Sequence, residues 1–485
     1  MSRVLSTFRA SNQQFICGNT VRKGGDNMTD SNQSDILTLL DGSVDRLVSN
    51  ISLYTKKPTD FSRNRIFNAS TTIKTILNMQ GQSLNTELDA TFPNMGDNRV
   101  SVSAFEQAKD KLSPKVFEDI FKDFNNTQTE FSKLNDMRVF AVDGSDFAVP
   151  YNPDSEYVVL NPSGRPRKDG HPVKPQCMVH ANLLYDLENH IYQDCILQPR
   201  SSMDERTAAI TMLERLDVGK FLIIADRGYS GLNTIEHLNR IDNCNYLIRT
   251  KLKGIKEIAS LPDDECDVDM SFIITTSSAY NRLHPETKLI VHPKKSYKEI
   301  SKTTDYQKWD FDDLTEVKFR VCKFRINEPD TDKEEWEVLI TNLDRVKYQL
   351  KDMKSLYFKR WSIETSFRAL KYNLGAIHFH SKKDNFIQME LFAHLTMFNV
   401  VSRSIAVASK IIKIKKSKKP LKYKYAINFS DAVSTVRKYY RFFYTKPRSE
   451  MYSEIRKYTH AVKHGIQNKR DLKPKSAIWF VYRVA

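Results

Sequence analysis

The sequence has few cysteines, and they are scattered along the chain. The six cysteines form no CxxC pair. This distribution favours a reducing compartment and no structural zinc, so a cytoplasmic protein is predicted. The phosphate-binding pattern GxxxxGK[ST] is also missing, which argues against an ATPase.

Long uninterrupted apolar stretches are missing as well. The first residues, MSRVLSTFRASNQQF, contain no apolar core of a secretory signal. The most apolar stretch, residues 392–409, is interrupted by His394, Asn399 and Arg403. It therefore predicts a buried helix and no membrane association.

Acidic residues are fewer than basic ones. The chain has 59 Asp and Glu against 75 Lys and Arg, which gives a net charge of +16. Such an excess attracts phosphates and predicts a polyanionic partner, although charge alone does not separate DNA, RNA and an anionic membrane. The hydrophobic content of 40% over 485 residues describes a globular protein of two to four lobes.

The two ends of the chain differ in character from its middle. Residues 1–30 are polar and predict a disordered leader. Residues 31–135 show helical periodicity and predict a helical DNA-binding domain, although an antiparallel bundle gives the same pattern as a helix-turn-helix. Residues 411–485 predict a basic helical C-terminal region.

The middle of the chain predicts an α/β fold in two parts. Residues 136–251 and 346–410 alternate between strand and helix patterns and would form one core. Residues 252–345 instead contain alternating stretches such as MSFIITT and WEVLITNL. They predict a mostly antiparallel β insertion between the two parts of the core.

Two short apolar runs are each followed by an aspartate. Residues 137–142 predict a strand that ends at Asp143, and residues 221–225 predict a buried strand that ends at Asp226. Asp-Gly after a strand is most often only a turn. However, the order of the elements predicts a mixed sheet in which these two strands are neighbours, so the aspartates would lie side by side.

Residues 357–371, YFKRWSIETSFRALK, contain no helix breaker and predict one helix. At ~100° per residue, Tyr357, Arg360, Glu364 and Lys371 share a narrow face beside an apolar stripe. A solvated salt-bridge stripe would also give this face, but an arginine before a glutamate is the less favourable order for an i,i+4 pair. A carboxylate among these neighbours suits a metal-bound phosphodiester, because Glu binds hard cations and the neighbours contact phosphate.

The three acids Asp143, Asp226 and Glu364 are therefore the predicted catalytic and metal-binding residues. Three carboxylates at one edge of a sheet could hold two divalent ions ~3.5 to 4 Å apart.

Together these residues resemble the DDE transposases of bacterial insertion sequences, in the insertion-sequence-four family with its Tyr-Arg-Glu-Lys signature. The motifs are DGS at 143, DRGY at 226 and the spacing Tyr357-x2-Arg360-x3-Glu364-x6-Lys371, and the similarity spans about residues 137–375. The resemblance implies an RNase H-like catalytic core with two Mg²⁺ or Mn²⁺ ions per active site. It also implies cut-and-paste movement of an element by cleavage at its terminal inverted repeats, through a hairpin end intermediate.

The resemblance also implies partners and a location. The expected partner is double-stranded DNA, both the terminal repeats and a target, bound by a homodimer on paired ends. Residues 411–485 would provide a dimer contact, and the protein would be nucleoid-associated in a bacterial cytoplasm.

The resemblance further assigns roles in DNA binding. Tyr357, Arg360 and Lys371 match residues that hold the phosphates next to the scissile bond. Trp336 resembles an aromatic residue that stacks on a flipped base, a contact worth ~1 to 3 kcal/mol, but a tryptophan that packs one strand of the insertion is the alternative. Arg249 resembles a phosphate-binding arginine, although basic strand ends are common.

Two other functions fit part of the pattern. One is a metal-dependent DNA endonuclease on the same fold, using the same acids; the Tyr-Arg-Glu-Lys face argues against it, because a simple nuclease needs no paired-end machinery. The other is a non-catalytic DNA-binding relic of a transposase, which the presence of all three acids disfavours.

Overall fold

The computed structural model describes six stretches of the chain: 35–93, 99–161, 173–290, 309–327, 334–410 and 424–462. The predicted leader at residues 1–30 lies outside them.

A mixed sheet of ten strands forms the centre of the described chain. Its strands are β1 (Arg138–Val149), β2 (Val158–Val159), β3 (Gln176–Asp186), β4 (Ile191–Pro199), β5 (Phe221–Ala225), β6 (Cys244–Thr250), β7 (Cys266–Thr275), β8 (Lys288–Leu289), β9 (Thr315–Asn327) and β10 (Glu334–Thr341). They follow the order β2-β3-β1-β5-β6-β10-β9-β7-β8, and β4 pairs with β3. The predicted α/β fold with a central multi-stranded sheet is confirmed.

The strand β1 has different partners on its two sides. It pairs in parallel with β5 until Val142 lies opposite Ala225, and it pairs with β3 in antiparallel fashion up to Val149. The two strands that carry the aspartates are thus neighbours, as the element order predicted. The prediction that the first strand ends at Asp143 is wrong, because β3 continues to supply hydrogen-bond partners up to Val149.

The predicted insertion continues the same sheet. Strand β10 pairs with β6, β9 with β10, and β7 with β9, all antiparallel, whereas β8 pairs with β7 in parallel. Two short helices, α8 (Lys256–Ala259) and α9 (Ser278–Leu283), lie between these strands in sequence. Residues 252–345 therefore widen the sheet.

Helices cover both faces of the sheet. On one face, α6 (Glu205–Glu214) and α7 (Leu232–Arg240) contribute to an apolar cluster with Val142, Ile223 and Ile248. The other face lies on a larger cluster formed mainly by α12 (Asp384–Lys410) and the N-terminal helices. Those are α1 (Ile36–Val48), α2 (Ala69–Asn78), α3 (Leu84–Thr91), α4 (Val102–Lys109) and α5 (Lys115–Asn126).

The helix α12 is the apolar stretch that the sequence predicts to be buried. It is the one described helix long and apolar enough to cross a membrane by length and composition, and 89% of its most apolar window is buried inside the protein. It contacts α1, α2, α5 and β4, so its apolar surface is used as core.

A buried charge network ties the N-terminal helices to α12. The Lys109 ammonium lies 3.1 Å from Glu390 Oε1, and the backbone N–H of His380 donates to Glu390 Oε2 at 3.1 Å. All three residues are buried. Burial raises the pKa of Glu390, but Lys109 and His380 outweigh it and hold this pKa at about 2.

The predicted single helix at residues 357–371 is wrong. The chain forms α10 (Leu350–Phe358), α11 (Trp361–Arg368) and a π-helical turn, Ala369–Asn373. At the junction the backbone N–H of Arg360 bonds to the carbonyl of Tyr357, three residues back, at 3.0 Å. Such a tight turn followed by a wide one moves side chains away from the positions of a uniform 3.6-residue helix.

The C-terminal region is not all-helical in its described part. Besides α13 (Phe429–Tyr439) and α14 (Ser449–Ile455), it contains β11 (Lys424–Ile427) paired with β12 (Thr459–Val462). The side chain of Asn428 caps α13, so the four residues before it do not join that helix and pair with β12 instead.

Candidate active site

Asp143 and Asp226 lie at the same edge of the sheet. Each follows directly on the last residue pair of the parallel β1–β5 ladder. Asp226 begins a short helical turn, and its Oδ1 accepts a hydrogen bond of 2.7 Å from the backbone N–H of Gly228. Asp143 Oδ1 accepts one of 2.9 Å from Gly144. The backbone therefore orients both carboxylates.

Arg360 joins Asp143 to Glu364, which lies in the first turn of α11. Its Nη1 is 3.4 Å from Asp143 Oδ2, and its Nη2 is 2.6 Å from Glu364 Oε1. The unfavourable sequence order of Arg360 and Glu364 does not prevent their pairing, because the arginine also meets a carboxylate of the sheet. The charged residues of this stretch therefore contact the sheet through Arg360 and do not form a solvated row of salt bridges.

The three acids share one electrostatic environment. Burial raises the pKa of Asp143 to about 7; Arg360 lowers this pKa, while the charges of Asp226 and Glu364 raise it. In turn, burial lowers the pKa of Arg360, but the charges of Tyr357, Glu364 and Asp143 raise it above its ordinary value. The folded protein thus disfavours the charged form of Asp143.

Tyr357 and Trp361 lie on either side of Arg360 in sequence and contact its guanidinium. The centre of the guanidinium is 5.9 Å from the Tyr357 ring and 5.8 Å from the Trp361 ring. Tyr357 is buried, and burial raises the pKa of its phenol. These rings restrict the arginine next to the acids.

Lys371 lies along β1 and not beside Glu364. Its Nζ donates a hydrogen bond of 2.7 Å to the carbonyl oxygen of Asp146 and lies 4.7 Å from the centre of the Phe147 ring. Burial lowers the pKa of this lysine. The π-helical turn that contains Lys371 explains why it departs from the predicted common face.

Arg249 lies in the next strand of the same edge. Ala225 pairs with Ile248 in the parallel β5–β6 ladder. Arg249 and Asp226, the next residue after each of these, therefore lie side by side. Its Nε is 3.3 Å from Oε1 of Glu337, an acid on β10 that is almost fully buried. Glu337 is not among the site residues that the sequence predicted; the available signal was a charged residue at an inward position of the alternating strand WEVLIT.

Trp336 lies on the opposite face of β10 from Glu337, because strand residues alternate. Its Nε1 donates to Asp263 Oδ1 at 2.7 Å, and the ammonium of Lys323 lies 4.2 Å from the centre of its ring. The structure therefore places Trp336 in the packing of the insertion and does not bring it to the three acids.

Gly144 meets a buried histidine on the far face of β1. His180 Nδ1 is 2.7 Å from Asp146 Oδ1, and its Nε2 is 3.2 Å from Glu205 Oε1. Burial lowers the pKa of His180, but its bonds to both acids raise it to about 9. A Cβ on Gly144 would clash with His180 and Glu205. The glycine next to Asp143 is thus required for close packing, which no turn pattern indicates.

The donor set of the three acids suits a divalent cation. All three offer carboxylate oxygens, the ligands of Mg²⁺ and Mn²⁺, and a cation would relieve the repulsion that Asp143 experiences from Asp226 and Glu364. Within the described residues, no group of three or more His, Cys, Asp or Glu side chains stands at metal-holding spacing. Arg360 occupies the position between Asp143 and Glu364.

Asp143 should make the metal-free protein sensitive to pH. Its folded pKa of about 7 is above its ordinary value of 3.8, so the folded state binds the extra proton and stability falls as the pH rises from about 4 to 7. In Asp143→Asn this fall should be reduced. Because the Asp143 side chain keeps 24% exposure, we expect the variant to be more stable than wild type by only about 1 to 2 kcal/mol at pH 8.

Chemical denaturation at pH 4.5 and pH 8, in buffer with EDTA, measures this difference. Asp226→Asn is the matched control, since it makes the same change of charge at the same edge of the sheet, on a carboxylate that accepts a hydrogen bond of 2.7 Å from the backbone N–H of Gly228. A wild type and an Asp143→Asn variant with the same pH dependence would contradict the prediction.

Comparison with known proteins identifies the family. The model of the transposase DDE domain matches residues 134–400, more than half of the 485 residues. No curated protein matches the chain. Among solved structures, the chain is similar to the piggyBac transposase synaptic complex with hairpin DNA, at a TM-score of 0.46 and 8% identity, over 91% of this chain and 88% of that one. On the family match, the chain belongs to the DDE transposases.

Proposed function

We propose that the protein is a cut-and-paste DNA transposase of the insertion-sequence-four type, with Asp143, Asp226 and Glu364 as its catalytic acids. The observation that supports this most is the contact of Arg360 with both Asp143 and Glu364, at the edge where Asp226 follows β5. Arg360 thereby joins Asp143 and Glu364, which are 221 positions apart in sequence, into one charged cluster.

The three acids would hold two Mg²⁺ or Mn²⁺ ions. Such ions activate a water or a 3′-hydroxyl and stabilise the leaving oxygen of a phosphodiester. The chain's own basic groups, Arg360, Lys371 and Arg249, would bind the phosphates next to the scissile bond, and Tyr357 would restrict Arg360. The base-stacking role of Trp336 stays a prediction.

The surrounding architecture is proposed on the same basis. The strand order around β1, with antiparallel β3 and β4 on one side and parallel β5 and β6 on the other, supports an RNase H-like core. A homodimer in a bacterial cytoplasm would bind two terminal inverted repeats through residues 31–135 and then a target DNA. The net charge of +16 supports a DNA partner.

Incubating the protein with Mn²⁺ and a labelled duplex that carries the DNA flanking the coding sequence tests the proposal. We expect cleavage at a defined end, a hairpin intermediate, and joining of that end to a second duplex. Hydrolysis without joining would identify an endonuclease. Binding without cleavage would identify a non-catalytic relic, and either result would overturn the proposed function.

Replacing Lys371 by Met should separate DNA handling from metal binding. Its ammonium contacts a backbone carbonyl and none of the three acids, so its loss should leave the half-saturating Mn²⁺ concentration unchanged. Loss of a phosphate contact should lower the cleavage rate about 10- to 100-fold. Cleavage measured over a Mn²⁺ titration provides both values.

Lys359→Met is the matched control for this lysine. Lys359 belongs to the same stretch but pairs with Glu188 at 2.7 Å, so its replacement should change the cleavage rate less than about threefold. A shift of the Mn²⁺ requirement in Lys371→Met would show that the lysine acts on the metal ligands.

A further inference from the structure

Glu337 is a buried acid close to the proposed active site that has no role in the proposed reaction. Its side chain is 4% exposed and belongs to β10. Leu339, two residues on, packs in the same apolar cluster as Ala141 and Leu247. Strand alternation therefore places Glu337 on the face of the sheet that carries Asp143 and Arg249.

Three basic groups act on the Glu337 carboxylate. Its Oε1 lies 3.3 Å from Nε of Arg249 and has no hydrogen-bond partner within the described parts of the chain. Burial raises the pKa of Glu337, and the charges of Arg249, Lys354 and Arg360 lower it. The contact with Arg249 is thus an ion pair that leaves the carboxylate incompletely satisfied.

The same groups surround Tyr357. Besides burial, the charges of Arg360, Arg249, Glu337 and Asp226 all act on its phenol. Glu337 and Asp226 are therefore parts of one electrostatic neighbourhood. Arg249 lies between them in strand order, since β6 stands between β5 and β10.

A buried carboxylate is costly, and an apolar residue in its place would often be as stable or more stable. Glu337 instead orients the Arg249 guanidinium. An arginine has many rotamers, and fixing it at a strand end requires a partner that is itself rigid. The Glu337 side chain is 4% exposed on its face of the sheet, while that of Arg249 keeps 32% exposure at the edge. The buried Glu337 carboxylate can therefore fix the orientation of the more exposed Arg249 guanidinium.

We infer that Glu337 is a positioning residue for DNA cleavage, which fixes the Arg249 guanidinium at the sheet edge beside Asp226 so that it meets the phosphate of the strand being cut. The inference rests on the proposed function. Glu337 acts only through Arg249, so its contribution disappears when the arginine is removed.

A double-mutant cycle tests this dependence. The cleavage rate is measured with Mn²⁺ on the labelled flanking-DNA duplex for wild type, Glu337→Gln, Arg249→Ala and the double variant. We expect Glu337→Gln to be about 10-fold slower and Arg249→Ala about 100-fold slower, while the double variant is no slower than Arg249→Ala. The half-saturating Mn²⁺ concentration should stay the same in all four.

A merely structural role would not produce this pattern. It would lower the thermal unfolding midpoint and slow cleavage by the same factor with and without Arg249, and that result would overturn the inference. Cleavage by Glu337→Gln at the wild-type rate would overturn it too.

If Glu337→Gln does not fold, a second variant tests the same inference. Glu337→Asp retains the charge but shortens the side chain; we expect a folded protein with an intermediate rate that again loses its effect in the Arg249→Ala background. If wild type itself does not cut, the proposed function and this inference both fail. If wild type cuts and the cycle is additive, the inference alone fails.

Discussion

Replacing Glu364 by Gln is expected to lower DNA cleavage by at least about 1,000-fold while leaving DNA binding within about threefold. The change removes one carboxylate that would hold the ions, and a divalent ion contributes several kcal/mol to phosphodiester cleavage. The fold should persist, because Arg360 keeps its contact with Asp143. A gel assay of end cleavage with Mn²⁺ and a binding assay in EDTA measure the two effects.

Glu286→Gln serves as the control for this experiment. Glu286 is an exposed acid whose contact is with His284, so its amide variant carries the same change of charge without affecting the site. Its cleavage rate should match that of wild type. If Glu364→Gln cut the duplex normally, the assignment of the third acid would be wrong.

Replacing Glu390 by Gln is expected to have the largest effect on stability. The variant leaves the buried Lys109 ammonium without its nearest carboxylate, and breaking a buried ion pair from one side typically costs about 3 to 5 kcal/mol. Because Lys109 belongs to α4 and Glu390 to α12, the loss should loosen the N-terminal helices from the core. Urea denaturation followed by circular dichroism gives the free energy of unfolding.

Glu106→Gln is the matched control, since Glu106 also contacts the Lys109 ammonium. Its Oε1 lies 3.8 Å from Lys109 Nζ, but its side chain keeps 32% exposure. We expect a change of less than about 0.5 kcal/mol. Equal destabilisation by the two variants would mean that burial of Glu390 does not decide the cost.

The neighbouring aspartates could be predicted because local patterns defined their strands. The buried run before Asp226 and the apolar run before Asp143 each predicted a strand, and the element order made the strands neighbours. The continuation of β1 to Val149 could not be predicted. It depends on hydrogen bonds from β3, a partner that the sequence of β1 does not specify.

The signature stretch shows the limit of uniform helical geometry. Angles of a regular helix placed Lys371 beside Glu364, but the tight turn at Arg360 and the π-helical turn at Ala369–Asn373 place it on β1. Both turns have ordinary helix formers, so propensity gives no signal. The contact of Arg360 with Asp143 of β1 is tertiary, and the helical pattern of the stretch does not indicate it.

Glu337 and His180 could not be recognised from sequence because each acts through a distant partner. Glu337 pairs with Arg249 of another strand, and His180 pairs with Asp146 and Glu205 of two other elements. A single acid within an apolar strand indicates a special environment but does not name its partner. Only the strand register connects these residues to the candidate site.

The packing of α12 against the N-terminal helices has a consequence during translation. Lys109 and Glu390 are 281 residues apart, a distance that a ribosome covers in about 14 to 56 s at ~5 to 20 residues per second. Until then, the apolar surfaces of α1, α2 and α5 lack the helix that covers them. A nascent chain would therefore expose this apolar surface until α12 has been synthesised.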